Sequence, residues 1–114
     1  LNGETRNLID AAMLARLPRH ARLVNVSRGS VVNDDALLQA LQSGALAGAY
    51  SDVFAVEPLP ADSPLWDAPN MIVSAHSAGA ASGFNARVAQ LFLANLRRWV
   101  QGEPMRNVAT FDPD

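Results

Sequence analysis

The sequence predicts an α/β fold, a partial doubly wound parallel sheet. Extended and helical signals alternate along the chain, the punctuation between them is short, and no internal repeat or low-complexity tract breaks the order. A strand, a helix and a strand on such short links require parallel strands joined by right-handed crossovers. At 114 residues the chain fits one ordinary domain with a real core.

The elements follow in order. Asp10 can cap a helix through DAAMLARL, in which Met13, Leu14 and Leu17 form an apolar stripe and Pro18 ends the run. ARLVNVS at 21–27 is β-rich and almost continuously apolar, the pattern of a strand buried on both faces. After Arg28 and Gly29, SVVNDDALLQALQSG predicts a helix capped by Asn33 or Asp34. Asp34 and Asp35 face its positive end, and Gly44 supplies the left-handed stop. ALAGAYSDVF at 45–54 is a second strand, its small residues allowing close helix packing. The following loop, AVEPLPADSPLWDAPN, holds four of the seven prolines and is expected to be rigid. MIVSA at 71–75 is a third strand. From Gly83 to Gln101 runs the longest helix, where Val88, Leu91, Phe92, Leu96 and Trp99 take the spacing of a buried face and Gly102 and Pro104 close it.

Composition removes several function classes. With no cysteine there is no disulfide, thiolate catalysis or cysteine-based metal site, and no metal site is expected. A net charge of −2 gives no electrostatic footprint for nucleic acid. No apolar run approaches the roughly 20 residues that span a bilayer. The opening LNGETRNLID also lacks the basic-then-apolar order of a signal peptide, so the expected setting is cytoplasmic, with no membrane partner.

The chemistry concentrates where the strands end. In an open parallel sheet all strand carboxyl ends share one edge, and ligands bind in the crevice there. The first strand leads into Arg28, the second delivers Asp52 and then Glu57, and the third delivers His76 within SAHSAG. A lone histidine in such a place is most often a surface or capping residue, and each charge singly has an equally plain explanation. Scattered surface charges, however, need not all choose the same edge, and the small neighbours of His76 leave room for a ligand. Histidine can give or take a proton near neutral pH, and a neighbouring carboxylate holds one tautomer. Arginine offers a planar fork matched to a carboxylate. The set suits a substrate with a carboxylate beside a carbonyl or hydroxyl. It supplies no electrons, so a hydride donor is implied.

NVSRGSVV at 25–32, SDVFAVEP at 51–58 and SAHSAG at 74–79 together resemble the consecutive signature segments of the D-isomer-specific 2-hydroxyacid dehydrogenases. The resemblance covers essentially the whole chain, from ETRNLID to GEPMRNV. It implies the carboxyl-terminal half of a Rossmann-type NAD(P)-binding domain over residues 1–82, followed at 83–114 by a long crossover helix and tail returning to a substrate domain. It implies NAD or NADP as cofactor, a small 2-oxo or 2-hydroxy acid as substrate, and a homodimer at full length. By position, Arg28 would bind the substrate carboxylate, His76 would be the acid/base and Glu57 its charge partner. Asp52 would contact the nicotinamide amide. Val26, Ser27 and Arg28, with His76, Ser77, Ala78 and Gly79, would line the nicotinamide side.

Two departures qualify the resemblance. Ala75 stands where the family usually has proline, which removes stiffness and no chemistry. The sequence also has no G-x-G-x-x-G phosphate loop and no acidic residue placed for the adenosine ribose, so the isolated chain is expected to bind NAD(P) poorly and to be inactive. The alternative is a dinucleotide-responsive, non-catalytic interaction protein of the co-repressor kind on the same fold. Formate oxidation is a narrower option, but relatives of that type carry glutamine where Glu57 stands.

Overall fold

The computed structural model describes residues 2–109, which divide between two compact units, 2–78 and 79–109. The first unit is an α/β layer. Its strands β1 (Arg22–Asn25), β2 (Gly48–Ser51) and β3 (Met71–Val73) form one parallel sheet in the order β1-β2-β3. The register pairs Leu23 with Ala49 and Ala49 with Met71, and on the opposite face Val24 with Tyr50 and Tyr50 with Ile72. The expected α/β class and parallel sheet are present.

Each strand is shorter than its apolar run because the chain turns aside at the carboxyl end. The Asn25 side chain captures Ser27, and the Ser51 hydroxyl donates to the Val53 carbonyl at 2.7 Å. Ladder-like bonds from Asp52 N–H to the Asn25 carbonyl and from Ser74 N–H to the Ser51 carbonyl still tie these ends together.

Helix α1 (Ala11–Ala15) is capped by Asp10, whose side chain accepts from Met13 N–H at 2.8 Å. It is so short that only Leu14 of the expected stripe is buried; Met13 and Leu17 stay exposed. A parallel bridge between Ile9 and Val32 fastens the segment before it to the residue that ends a 3-10 turn at Gly29–Val31. Helix α2 (Asp34–Gln42) joins β1 to β2. Asn33 rather than Asp34 is its cap, accepting from Ala36 N–H, and Gly44 at φ 67 ends it in the left-handed region. Its inner face, Ala36, Leu37, Ala40 and Leu41, packs with Leu14, Val32, Leu46, Ala49 and Ala68 into the core. Each fully buried leucine is worth about 2 kcal/mol in area removed from water.

The proline-rich connection from β2 to β3 is ordered around a 3-10 turn at Pro64–Asp67. Trp66 Nε1 donates to the Pro60 carbonyl, and Leu65 and Ala68 are buried against the core side.

Two expectations of burial are corrected. The sheet is covered on one face only: Val24 and Ile72 are 66% and 63% exposed, so β1 is not buried on both faces. Its apolar run contains both rows because a doubly wound sheet has a second layer, which is not among the described residues of this unit. The second unit is built on α3 (Phe84–Val100), which has the expected stripe but buries none of its residues. The stripe is amphipathic, and within this unit the returning tail meets the helix through paired bonds between the Asn95 side chain and the Arg106 backbone. Among the described residues no helix is long and apolar enough to cross a membrane.

Candidate active site

The carboxyl edge of the sheet gathers the ionisable groups of the first unit. His76 Nδ1 lies 2.7 Å from Glu57 Oε2, joining the turn after β3 to the loop after β2 across 19 residues of chain. The other carboxylate oxygen, Glu57 Oε1, accepts from Phe54 N–H at 2.9 Å, which fixes the side chain from behind. These two bonds to the charged form, His76 first, hold the Glu57 carboxyl below the usual glutamate range. Half of the His76 side chain remains open to solvent. The pair borders a pocket of about 560 Å³ whose apolar wall includes Phe54, Leu59 and Trp66.

His76 itself has φ 52. Left-handed backbone costs a side-chain-bearing residue roughly 1–2 kcal/mol, so it persists only where the surroundings over-determine it. Asp52 does so. Its Oδ1 accepts from Ser77 N–H at 2.9 Å and from the Ser74 hydroxyl, and its Oδ2 accepts from Ala78 N–H at 2.6 Å. The carboxylate is 1% exposed, sealed by the turn folded over it. Ser74 above all, then the Ala78 and Ser77 amides, hold its carboxyl below the ordinary aspartate range against the opposing effect of burial.

A depressed folded-state value means that the clamp stabilises the turn above the ordinary carboxylate range and is lost as pH falls through the lowered value. The amide resonances of Ser77 and Ala78 should therefore keep their neutral-pH positions until the pH falls below the ordinary aspartate range in an NMR titration. A transition centred above that would contradict the clamp.

The remaining predicted residues fall as follows. Val26 and Ser27 lie exposed just beyond β1. The exposed Arg28 donates from Nη1 to the Ser27 carbonyl at 2.8 Å and is not among the residues lining the His76 pocket. Ser77 and Ala78 spend their N–H groups on Asp52, and Gly79, exposed, begins the second unit. The structure thus joins His76, Glu57 and the Asp52 clamp directly, while Arg28 is linked to them through backbone. That link is Gly29, where a Cβ would fall 1.8 Å from the Phe54 carbonyl carbon.

Asn25 and Ser74 were not among the predicted site residues. Asn25 is 6% exposed; its Oδ1 accepts from both the N–H and the hydroxyl of Ser27, and its Nδ2 donates to the Arg28 carbonyl. It therefore shapes the turn that carries Arg28. An asparagine closing an apolar strand just before Ser-Arg-Gly is the available signal, since asparagine is poor in strands and good at fixing turns. Ser74 offers no comparable signal.

The chain is similar to known proteins over most of its length. The family model "D-isomer specific 2-hydroxyacid dehydrogenase, NAD binding domain" matches residues 1–78. Glyoxylate/hydroxypyruvate reductase B of Pectobacterium carotovorum subsp. carotovorum is 41% identical over 107 residues, 94% of this chain and 33% of that protein. Glyoxylate reductase of Korarchaeum cryptofilum is 42% identical over 103 residues, 90% of this chain and 31% of that protein. A D-isomer specific 2-hydroxyacid dehydrogenase from Xanthobacter autotrophicus Py2, solved with NADPH and MES, superposes with a TM-score of 0.88 at 46% identity, covering 96% of this chain and 45% of that one. The chain spans about a third of the length of the curated relatives it matches. It belongs to the D-isomer specific 2-hydroxyacid dehydrogenase family, and residues 1–78 are part of that family's NAD-binding domain.

Proposed function

We propose that this chain supplies the acid/base and carboxylate-binding residues of an NAD(P)-dependent reductase of small 2-oxo acids, of the glyoxylate and hydroxypyruvate class. The observation that carries this reading is the Glu57–His76 pair at 2.7 Å on the carboxyl edge of a parallel sheet. With Nδ1 committed to Glu57, Nε2 is the ring nitrogen that exchanges a proton with the substrate oxygen at C2. Glu57 stabilises the imidazolium and holds the tautomer. Arg28 turns its fork from the Ser27 carbonyl to the substrate carboxylate.

The nicotinamide end of the cofactor would lie against Val26 and Ser27, exposed just beyond β1, and the turn from His76 to Ala78. When bound there, a nicotinamide would supply the hydride that the 2-oxo carbon accepts. Asp52 supports that side chiefly through the turn, since both its oxygens are engaged. The pyrophosphate is left without its glycine loop.

An intact enzyme carrying this segment should oxidise NADH or NADPH with glyoxylate or hydroxypyruvate in a steady-state assay, while the isolated chain should show neither turnover nor tight NADH binding. An intact enzyme that binds the cofactor but reduces no 2-oxo acid would instead favour the non-catalytic, co-repressor-like reading. Tight NADH binding by the isolated chain would refute the assignment of the pyrophosphate site elsewhere.

A further inference from the structure

The uncovered face of the sheet carries a row, Val24, Tyr50 and Ile72, in cross-strand register. Two residues further along each chain, just past the strand ends, Asp52 follows Tyr50 of β2 and Ser74 follows Ile72 of β3. Ser74 Oγ bonds both neighbours: it lies 2.8 Å from the Tyr50 hydroxyl and in short contact with Asp52 Oδ1.

Counting protons orders this chain. Asp52 is ionised at neutral pH and can only accept. Ser74 owns one hydroxyl proton, so it donates that proton to Asp52 and its oxygen accepts from Tyr50 O–H. The direction is Tyr50 to Ser74 to Asp52. Asp52 in turn accepts from Ser77 and Ala78, the two residues that follow left-handed His76.

We propose that Tyr50 and Ser74 are positioning residues whose directed hydroxyl chain seats the Asp52 carboxylate, so that the Ser77–Ala78 backbone holds His76 with Nδ1 on Glu57. The inference rests on the reading of His76 as the acid/base. Neither hydroxyl touches the His76 ring; both act through Asp52.

The test uses Tyr50→Phe, Ser74→Ala and Ser74→Thr in the full chain, read by amide exchange at Ser77 and Ala78 and by the ¹⁵N shifts of the His76 ring. Exchange should quicken by about tenfold in Tyr50→Phe, the worth of one neutral hydrogen bond, and by about tenfold to a hundredfold in Ser74→Ala, which removes a bond to a charge. The ring shifts should move away from the Glu57-bonded state in both, and Ser74→Thr should restore both signatures. Unchanged exchange and ring shifts in Tyr50→Phe and Ser74→Ala, or a threonine that restores nothing, would overturn the proposal. Should Ser74→Ala fail to fold, Tyr50→Phe decides alone, since it removes one oxygen from a half-buried ring. In the intact enzyme Tyr50→Phe and Ser74→Ala should lower kcat while leaving the KM for the 2-oxo acid nearly unchanged, and Ser74→Thr should recover kcat. Moved NMR signatures with no 2-oxo acid reduction even in the unmodified enzyme would uphold the positioning and refute the reductase. Unmoved signatures beside an active enzyme would do the reverse.

Discussion

His76→Ala should reduce kcat of the intact reductase by about 10²–10⁴-fold, the usual contribution of a positioned proton donor. The ring stands at the sheet edge half open to solvent, bonded to a carboxylate through one nitrogen and left with the other for exchange. Alanine also disturbs the backbone, because its side chain is a poor occupant of φ 52. His76→Asn separates the two effects: asparagine tolerates the left-handed region, so the Asp52 bonds to Ser77 and Ala78 should persist while turnover still falls. Steady-state kinetics of both variants, with the two amides followed by NMR, checks the expectation. An asparagine variant with near-normal kcat would show that the turn matters and the imidazole does not.

Gly29→Ala should produce the largest loss of stability of any single-methyl change near the site. The added Cβ would lie 1.8 Å from the Phe54 carbonyl carbon, 2.1 Å from its oxygen and 2.4 Å from the Ala55 nitrogen. All three are backbone atoms, and no flexible side chain can yield. Overpacking typically costs about 1–3 kcal/mol, and a clash with main chain belongs at or above the top of that range. The damage would also be functional, because Gly29 holds the Arg28 turn against the segment leading to Glu57. Urea unfolding should show a midpoint far below that of the unmodified chain, or no cooperative transition; a midpoint within error of the original would mean that the two segments do not touch as described.

Much of this arrangement was legible in the sequence because it depends on local rules. The Asp10 cap, the start of α2 at the Asn33–Asp34 pair and the Gly44 stop follow from residue type and spacing. The parallel order follows from strand, helix and strand on short links. Strand ends were not legible, since they are set by side chains such as Asn25 and Ser51 that leave the ladder to bond nearby backbone. Burial of Val24, Ile72 and the α3 stripe was also misjudged: hydrophobicity records that a surface wants a partner, and it does not say which segment provides one. At the site, the edge location of Arg28, Asp52, Glu57 and His76 could be read from topology. The Tyr50–Ser74–Asp52 chain could not, because it joins residues more than 20 positions apart through cross-strand neighbours.

The most direct measurement is a crystal structure of the intact enzyme with nicotinamide cofactor and a non-reducible 2-oxo acid analogue such as oxamate. Arg28 should have left the Ser27 carbonyl to grip the analogue's carboxylate with both arms of its fork, and His76 Nε2 should stand within hydrogen-bond reach of the oxygen on the adjacent carbon. An analogue bound away from His76, or an Arg28 still folded onto Ser27 with the ligand in place, would contradict a shared grip on one small acid.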